Sequence, residues 1–119
     1  MTADTATTSE ITIEDAPGTW VIRAGGSVIG ESRAALFLHE DGHSPVLYFP
    51  REDIAMAVLD PSETHTTCPL KGEARYFSLE TESGHFADIA WSYEDPPETL
   101  SRIRGRLAFS SDDVAVEEV

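Results

Sequence analysis

The sequence predicts a mainly β fold: a small single-domain curled antiparallel sheet built of β-meander hairpins, with one short helix near 96–104. Two observations carry this reading. Apolar, β-branched and aromatic residues fall in runs of only five to seven residues, the length and composition of strands. Turn dipeptides separate the runs: Gly25-Gly26, Asp41-Gly42 and Ser83-Gly84, the first two of which are signals for tight hairpin connections. The 119 residues make one domain, long enough to bury a core without disulfides or a structural metal.

Met1 to Asp15, rich in Thr and Ala and without a basic residue, reads as a flexible N-terminal arm. Ile11 and Ile13 alternate with Thr12 and Glu14, so its end could add an edge strand. The β domain is expected over 16–113. Trp20 to Ala24 and Ser27 to Glu31 form the first hairpin, and Ala34 to Glu40 and Pro45 to Phe49 the second. Arg51 to Asp53 suits one helical turn, and Ile54 to Leu59 a buried strand ended by Asp60-Pro61. The polar stretch Pro61 to Thr67 reads as a surface loop that delivers the chain to Cys68. Ala74 to Thr81 and Phe86 to Tyr93 form a third hairpin. Asp95-Pro96-Pro97-Glu98 has the parts of a helix start, with Asp95 as N-cap and Pro96 at the first helical position; Gly105 supplies the left-handed stop. Arg106 to Ser110 reads as a last strand, and 114–119 as an acidic C-terminal tail.

Charge excludes several classes of function. With 22 Asp and Glu against 8 Lys and Arg, the formal net charge is −14, which opposes contact with nucleic acid backbones and with anionic membrane surfaces. No apolar window approaches the length of a membrane span. The single cysteine demands no oxidising compartment, and the N-terminus lacks the basic region and apolar run of a targeting segment. The expected location is cytoplasmic.

Thr66 to Tyr76, TTCPLKGEARY, places the chain's one cysteine, Cys68, three residues before its one lysine, Lys71, with Gly72 next. A nearby ammonium would favour the Cys68 thiolate and make it a candidate nucleophile, although a lone cysteine is more often a small buried hydrophobe. Lys71 beside a glycine could grip phosphate or carboxylate; as structure it would be an exposed loop lysine. There is no P-loop, since the upstream glycine is missing. Trp91 and Tyr93 share a strand face, and with Tyr48 and Tyr76 they are either core or the flat walls of a small-molecule pocket. Glu40 and Asp88 are candidate acids or bases, and neither is distinctive in so acidic a chain. His39-Glu40-Asp41-Gly42-His43 has the letters of the H-E-x-x-H zinc motif, but it straddles an Asp-Gly turn instead of lying on a helix, so no metal site is expected.

Gly25-Gly26, Tyr48-Phe49-Pro50-x-x-Asp53, Cys68-Pro69-x-Lys71-Gly72-x-Ala74-x-Tyr76, Trp91-x-Tyr93 and Gly105 with Phe109 together resemble the family called domain of unknown function 427, sometimes labelled nucleotidyltransferase-like. The resemblance covers about Thr19 to Asp113. It implies a mainly antiparallel, β-tent-like domain with a pocket near the Cys-Pro-x-Lys-Gly string, and it marks Tyr48, Asp53, Cys68, Lys71, Tyr76, Trp91 and Tyr93. It implies no established activity. Nucleotidyl transfer needs carboxylates for Mg²⁺ beside a phosphate-gripping loop, and no compact acidic pair accompanies a Gly-rich loop here.

The sequence therefore leads to a small anionic or nucleotide-like ligand held in an aromatic pocket, with Lys71 as anion contact and Tyr48, Tyr76, Trp91 and Tyr93 as walls. No cofactor is implied. One alternative is an enzyme that uses Cys68 covalently, assisted by Lys71 or His65. The other is a protein-interaction module without a pocket, whose exposed β edge or acidic face recruits a partner; a homodimer burying the Trp91 face would remove the pocket that the first two readings require.

Overall fold

The computed structural model describes residues 10–119 apart from Ser83 and Ser111. The strands among them are β1 (Ile11–Asp15), β2 (Trp20–Ala24), β3 (Ser27–Ser32), β4 (Leu36–Glu40), β5 (Val46–Tyr48), β6 (Leu59–Cys68), β7 (Gly72–Thr81), β8 (Gly84–Tyr93), β9 (Ala108–Phe109) and β10 (Val114–Glu118). They form three antiparallel sheets, ordered β1-β4-β5, β10-β2-β3 and β6-β7-β8-β9. The mainly β reading holds, and no barrel closes among the described residues.

The expected hairpins β2–β3, β4–β5 and β7–β8 are present. Gly25 and Gly26 both take positive φ, 59° and 84°, a conformation that costs glycine little and twists the turn to match its strands. Four elements differ from the sequence reading. Pro61 to Thr67, expected as a loop, lies within the edge strand β6 and pairs with β7, with a register shift between Pro61 and His65. Its solvent-facing threonines suit an exposed strand, and an edge tolerates Pro61 and a bulge. Ile54 to Leu59, expected as a strand, is mostly a single 3₁₀ turn, Met56–Val58, that follows the turn Arg51–Asp53. Between the two turns Ile54 bridges Gly30. The expected helix is a kinked 3₁₀ segment, Glu98–Ile103, entered from Pro97 with no side-chain cap. Leu100 and Ile103 are both buried, and their i, i+3 spacing puts them on one side of a three-residue turn. Val114–Glu118, expected in the acidic tail, pairs with β2 along its whole length. Alternation explains it, since Val114 and Val116 pack on the core while Ala115 and Glu117, which alternate with them, are exposed. At the other terminus Ile11–Asp15 does add an edge strand, against β4. The rest of the expected arm, residues 1–9, lies outside the described residues, as does Ser83 of the third turn.

One bridge organises the site. Phe49 and Leu107 exchange backbone hydrogen bonds of 2.8 and 2.9 Å, joining the chain just after β5 to the chain just before β9. The path β1-β4-β5-β9-β8-β7-β6 is thus a curled surface with two sides. On one side Leu38, Tyr48, Ala74, Tyr93, Leu100, Ile103 and Ala108 form a small core, with Cys68, Tyr76 and Trp91 against it. The residues that alternate with these, Phe49, Phe77 and Ala90, belong to the larger core, which also takes Ile22, Ala24 and Ile29 from β2 and β3. Period-two alternation along each strand separates the two. No helix among the described residues is long and apolar enough to cross a membrane.

Candidate functional site

A cavity of about 480 Å³ opens on the smaller core. The β6–β7 turn supplies Cys68, Pro69 and Lys71, β7 supplies Tyr76, β8 supplies Trp91 and Tyr93, and the β4–β5 hairpin supplies Leu38, Glu40, His43, Ser44, Val46 and Tyr48. Strand register explains the convergence. Cys68 is paired with Gly72, Ala74 with Tyr93 and Tyr76 with Trp91, so the side chains of Cys68, Tyr76, Trp91 and Tyr93 share one face of three adjacent strands.

The aromatic walls are linked to one another. The rings of Tyr76 and Trp91 lie 6.2 Å apart at 37°, within the range of favourable ring pairs. The Trp91 indole Nε1 donates to the Tyr48 hydroxyl at 3.4 Å, and the hydroxyls of Tyr76 and Thr66 lie within hydrogen-bond distance at 3.1 Å. Tyr48 is 1% exposed, and that burial pushes its phenol far above the ordinary tyrosine range, with the Trp91 hydrogen bond opposing. Burial also raises the Tyr93 phenol, while the neighbouring Lys71 ammonium opposes it.

Lys71 is not an exposed loop lysine. Its side chain is 11% exposed, and Nζ donates to Oε1 of Glu40, 13% exposed, at 2.7 Å. Nζ also lies 5.7 Å from the centre of the Tyr93 ring, in the range of a cation–π contact. Burial alone would lower the ammonium's pKa; the hydrogen bond to Glu40, with smaller contributions from Tyr93 and Cys68, outweighs it and holds the pKa above the ordinary lysine value. The pair ties the β6–β7 turn to the end of β4 across the cavity. An ammonium carries three donors, so the one given to Glu40 does not exhaust it.

The six side chains expected as nucleophile, anion contact and pocket walls, Cys68, Lys71, Tyr48, Tyr76, Trp91 and Tyr93, line this cavity, as does Glu40, one of the two candidate acids or bases. Other candidates lie elsewhere. His65 alternates away from Cys68, beside Glu73 at 3.6 Å, so the suggested assistance to Cys68 has no geometric basis. Asp88 takes a positive φ of 51°, where its carboxylate accepts from the Thr64 hydroxyl at 2.7 Å. Hydrogen bonds from Ser62 and Thr64 hold its pKa below the ordinary aspartate value; its role is to pin a bulge. Asp53 accepts from the Ser32 hydroxyl at 2.7 Å. The two histidines of the H-E-x-x-H string are separated: His39 pairs with Glu14 on β1 at 2.6 Å, and His43 lines the cavity. Among the described residues no group of three or more His, Cys, Asp or Glu side chains is placed to hold a metal ion.

Sequence reasoning missed Glu40 as the partner of Lys71 and His43 as part of the wall. For Glu40 a signal existed, because a buried lysine in an acidic chain requires a carboxylate, but as a candidate acid or base among 22 acids nothing linked it to Lys71. No curated protein matches the chain. The string from Cys68 to Tyr76, which builds the turn and one wall of the cavity, falls within residues 12–119, where the chain matches the model of the family described as a domain of unknown function (DUF427), and to that family it belongs.

Proposed function

We propose that the aromatic cavity binds a small anionic or nucleotide-like ligand. A planar ring would lie against Tyr76 and Trp91, and an acceptor group would meet Lys71. One observation carries the reading: six residues singled out in the sequence by their chemistry and by the family resemblance line a single cavity of about 480 Å³, a volume typical of small-molecule sites. The Lys71–Glu40 pair narrows the ligand class. It offers a positive and a negative group side by side, which best matches a ring edge or substituent bearing both an acceptor and a donor.

The test uses nucleoside monophosphates of differing base as probes and the indole N–H resonances as reporters. The Trp91 indole, bonded to Tyr48, should shift and saturate. The Trp20 indole, bonded to the Pro17 carbonyl, should stay in place. Tyr76→Ala should weaken binding about tenfold, the scale of one stacking contact. If no probe moves Trp91 at millimolar concentration, the proposal fails.

A second reading is favoured by the position of Cys68, half-buried and on the cavity wall, where a bound electrophile could meet it. Alkylation of the folded protein followed against pH decides this. A thiol that reacts below its ordinary range, and less so in the Lys71→Met/Glu40→Gln double variant, would support covalent chemistry. A thiol silent until unfolding would assign Cys68 to packing.

A further inference from the structure

Eight Lys and Arg residues, one of them Lys71, leave seven arginines in a chain of net charge −14. Three of these, Arg33, Arg102 and Arg106, line one cleft of about 430 Å³ together with Asp15 and the backbone turn around Ala34 and Ala35. Burial, and the nearby Arg102 charge, act to lower the pKa of Arg106, while Glu52, Asp53 and Asp15 oppose.

The cleft is rigidly built. The Ser32 hydroxyl donates to Asp53 at 2.7 Å and accepts from the Ala34 N–H at 3.0 Å. Arg106 Nη1 donates to the Ala34 carbonyl at 2.7 Å and to that of Tyr48 at 3.5 Å, and the Ala16 N–H donates to the Ala35 carbonyl at 2.9 Å. Arg33 sits in the middle of this braced turn. Its guanidinium is exposed and has no hydrogen-bond or ion-pair partner among the described residues. Arg102 pairs with Asp15 at 2.7 Å, but that carboxylate is 84% exposed and can be displaced at little cost. Of the charged side chains that line the cleft itself, three are guanidiniums and one is a carboxylate, while Glu52 and Asp53 act on Arg106 from nearby; the planar forks of the guanidiniums match phosphate oxygens.

We propose that this cleft is a second binding site, for a small phosphate-bearing anion, with Arg33 as its principal contact and Arg102 exchanging Asp15 for the ligand. It is independent of the aromatic cavity.

The test is calorimetric titration of the full chain with pyrophosphate and with inorganic phosphate at about 0.15 M ionic strength, where diffuse attraction is screened beyond about 8 Å. Citrate serves as a carboxylate control. Saturable binding of one equivalent is expected, tighter for pyrophosphate than for citrate. Arg33→Gln should weaken it about tenfold or more, the scale of a charge-assisted pair. Arg23→Gln should leave it unchanged, because Arg23 pairs with Glu117 away from the cleft. The Lys71→Met/Glu40→Gln variant should also leave it unchanged, which separates this site from the aromatic one. Absence of saturation in the wild type, or equal losses in the Arg33 and Arg23 variants, would overturn the assignment. Arg33 has no partner to lose among the described residues, so its variant is expected to fold, which far-UV circular dichroism checks, and either result is interpretable.

Discussion

The aromatic cavity and the arginine cleft handle charge in opposite ways. In the cavity the one lysine is buried and neutralised by the nearly buried Glu40 at 2.7 Å; in the cleft an arginine without a partner among the described residues stands on a braced turn beside two more. The first arrangement joins charge to stability, because neither partner can be removed without stranding the other away from water. The second leaves charge available, because Arg33 holds nothing in place. A site built on a buried ion pair selects ligands by shape and paired polarity, whereas one built on exposed like charges selects by charge and responds to salt.

The largest expected effect tests the first half of this contrast. Lys71→Ala should destabilise the fold by about 3 kcal/mol, the cost of leaving a nearly buried carboxylate unpaired, read as a lower urea midpoint at constant slope. The double variant Lys71→Met/Glu40→Gln should recover most of that loss. If Lys71→Ala alone is neutral, the pair is not buried in solution and the contrast collapses.

Next in size is an alkaline limit set by the cavity. The folded-state pKa of Tyr48 is raised by burial, so folding favours the neutral phenol; this stability is whole below the unfolded value near 10 and is lost as pH rises beyond it. The raised ammonium pKa of Lys71 acts in the same direction. Tyr48→Phe should therefore unfold at higher pH than wild type in an alkaline titration followed by circular dichroism. An unchanged midpoint would show that Tyr48 does not set the limit.

A smaller effect belongs to the acid side. Glu94 is partly buried, which opposes ionisation, yet the hydrogen bond and charge of Arg51, at 2.8 Å, outweigh this and its pKa is lowered. Its contribution is present above the unfolded value near 4.3 and is lost as pH falls through the folded one. With the carboxylate 41% exposed, Glu94→Gln should cost less than about 1 kcal/mol at neutral pH, and the difference from wild type should vanish in acid. Smallest of all, Arg33→Gln should change stability by no more than about 0.5 kcal/mol. A larger loss would mean that Arg33 braces the turn, and the two regions would no longer differ in kind.

Much of the site was legible because β-strands alternate. Once Trp91-x-Tyr93 is read as one strand face and Ala74 to Thr81 as its hairpin partner, Tyr76 follows onto the same wall, and the Cys68 to Gly72 turn sits at its end. The arginine cleft was not legible in this way. Arg33, Arg102 and Arg106 come from a turn after β3, a 3₁₀ segment and the approach to β9, and no local period relates them.

The sequence by itself determined the hairpins, the β class and the cluster of Cys68, Lys71 and aromatics, since turn chemistry and period-two patterning act over a few residues. Tertiary structure decided the rest. It made Pro61 to Thr67 a strand, because β7 offered it a ladder that its polar side chains do not announce. It turned 114–118 from tail to strand by pairing it with β2. Across a separation of 31 residues it chose Glu40, from all the acids of the chain, as the partner of Lys71. Pairing over such distances depends on which backbone edges and buried charges meet when the sheet curls, and that information is held by no single stretch of the chain.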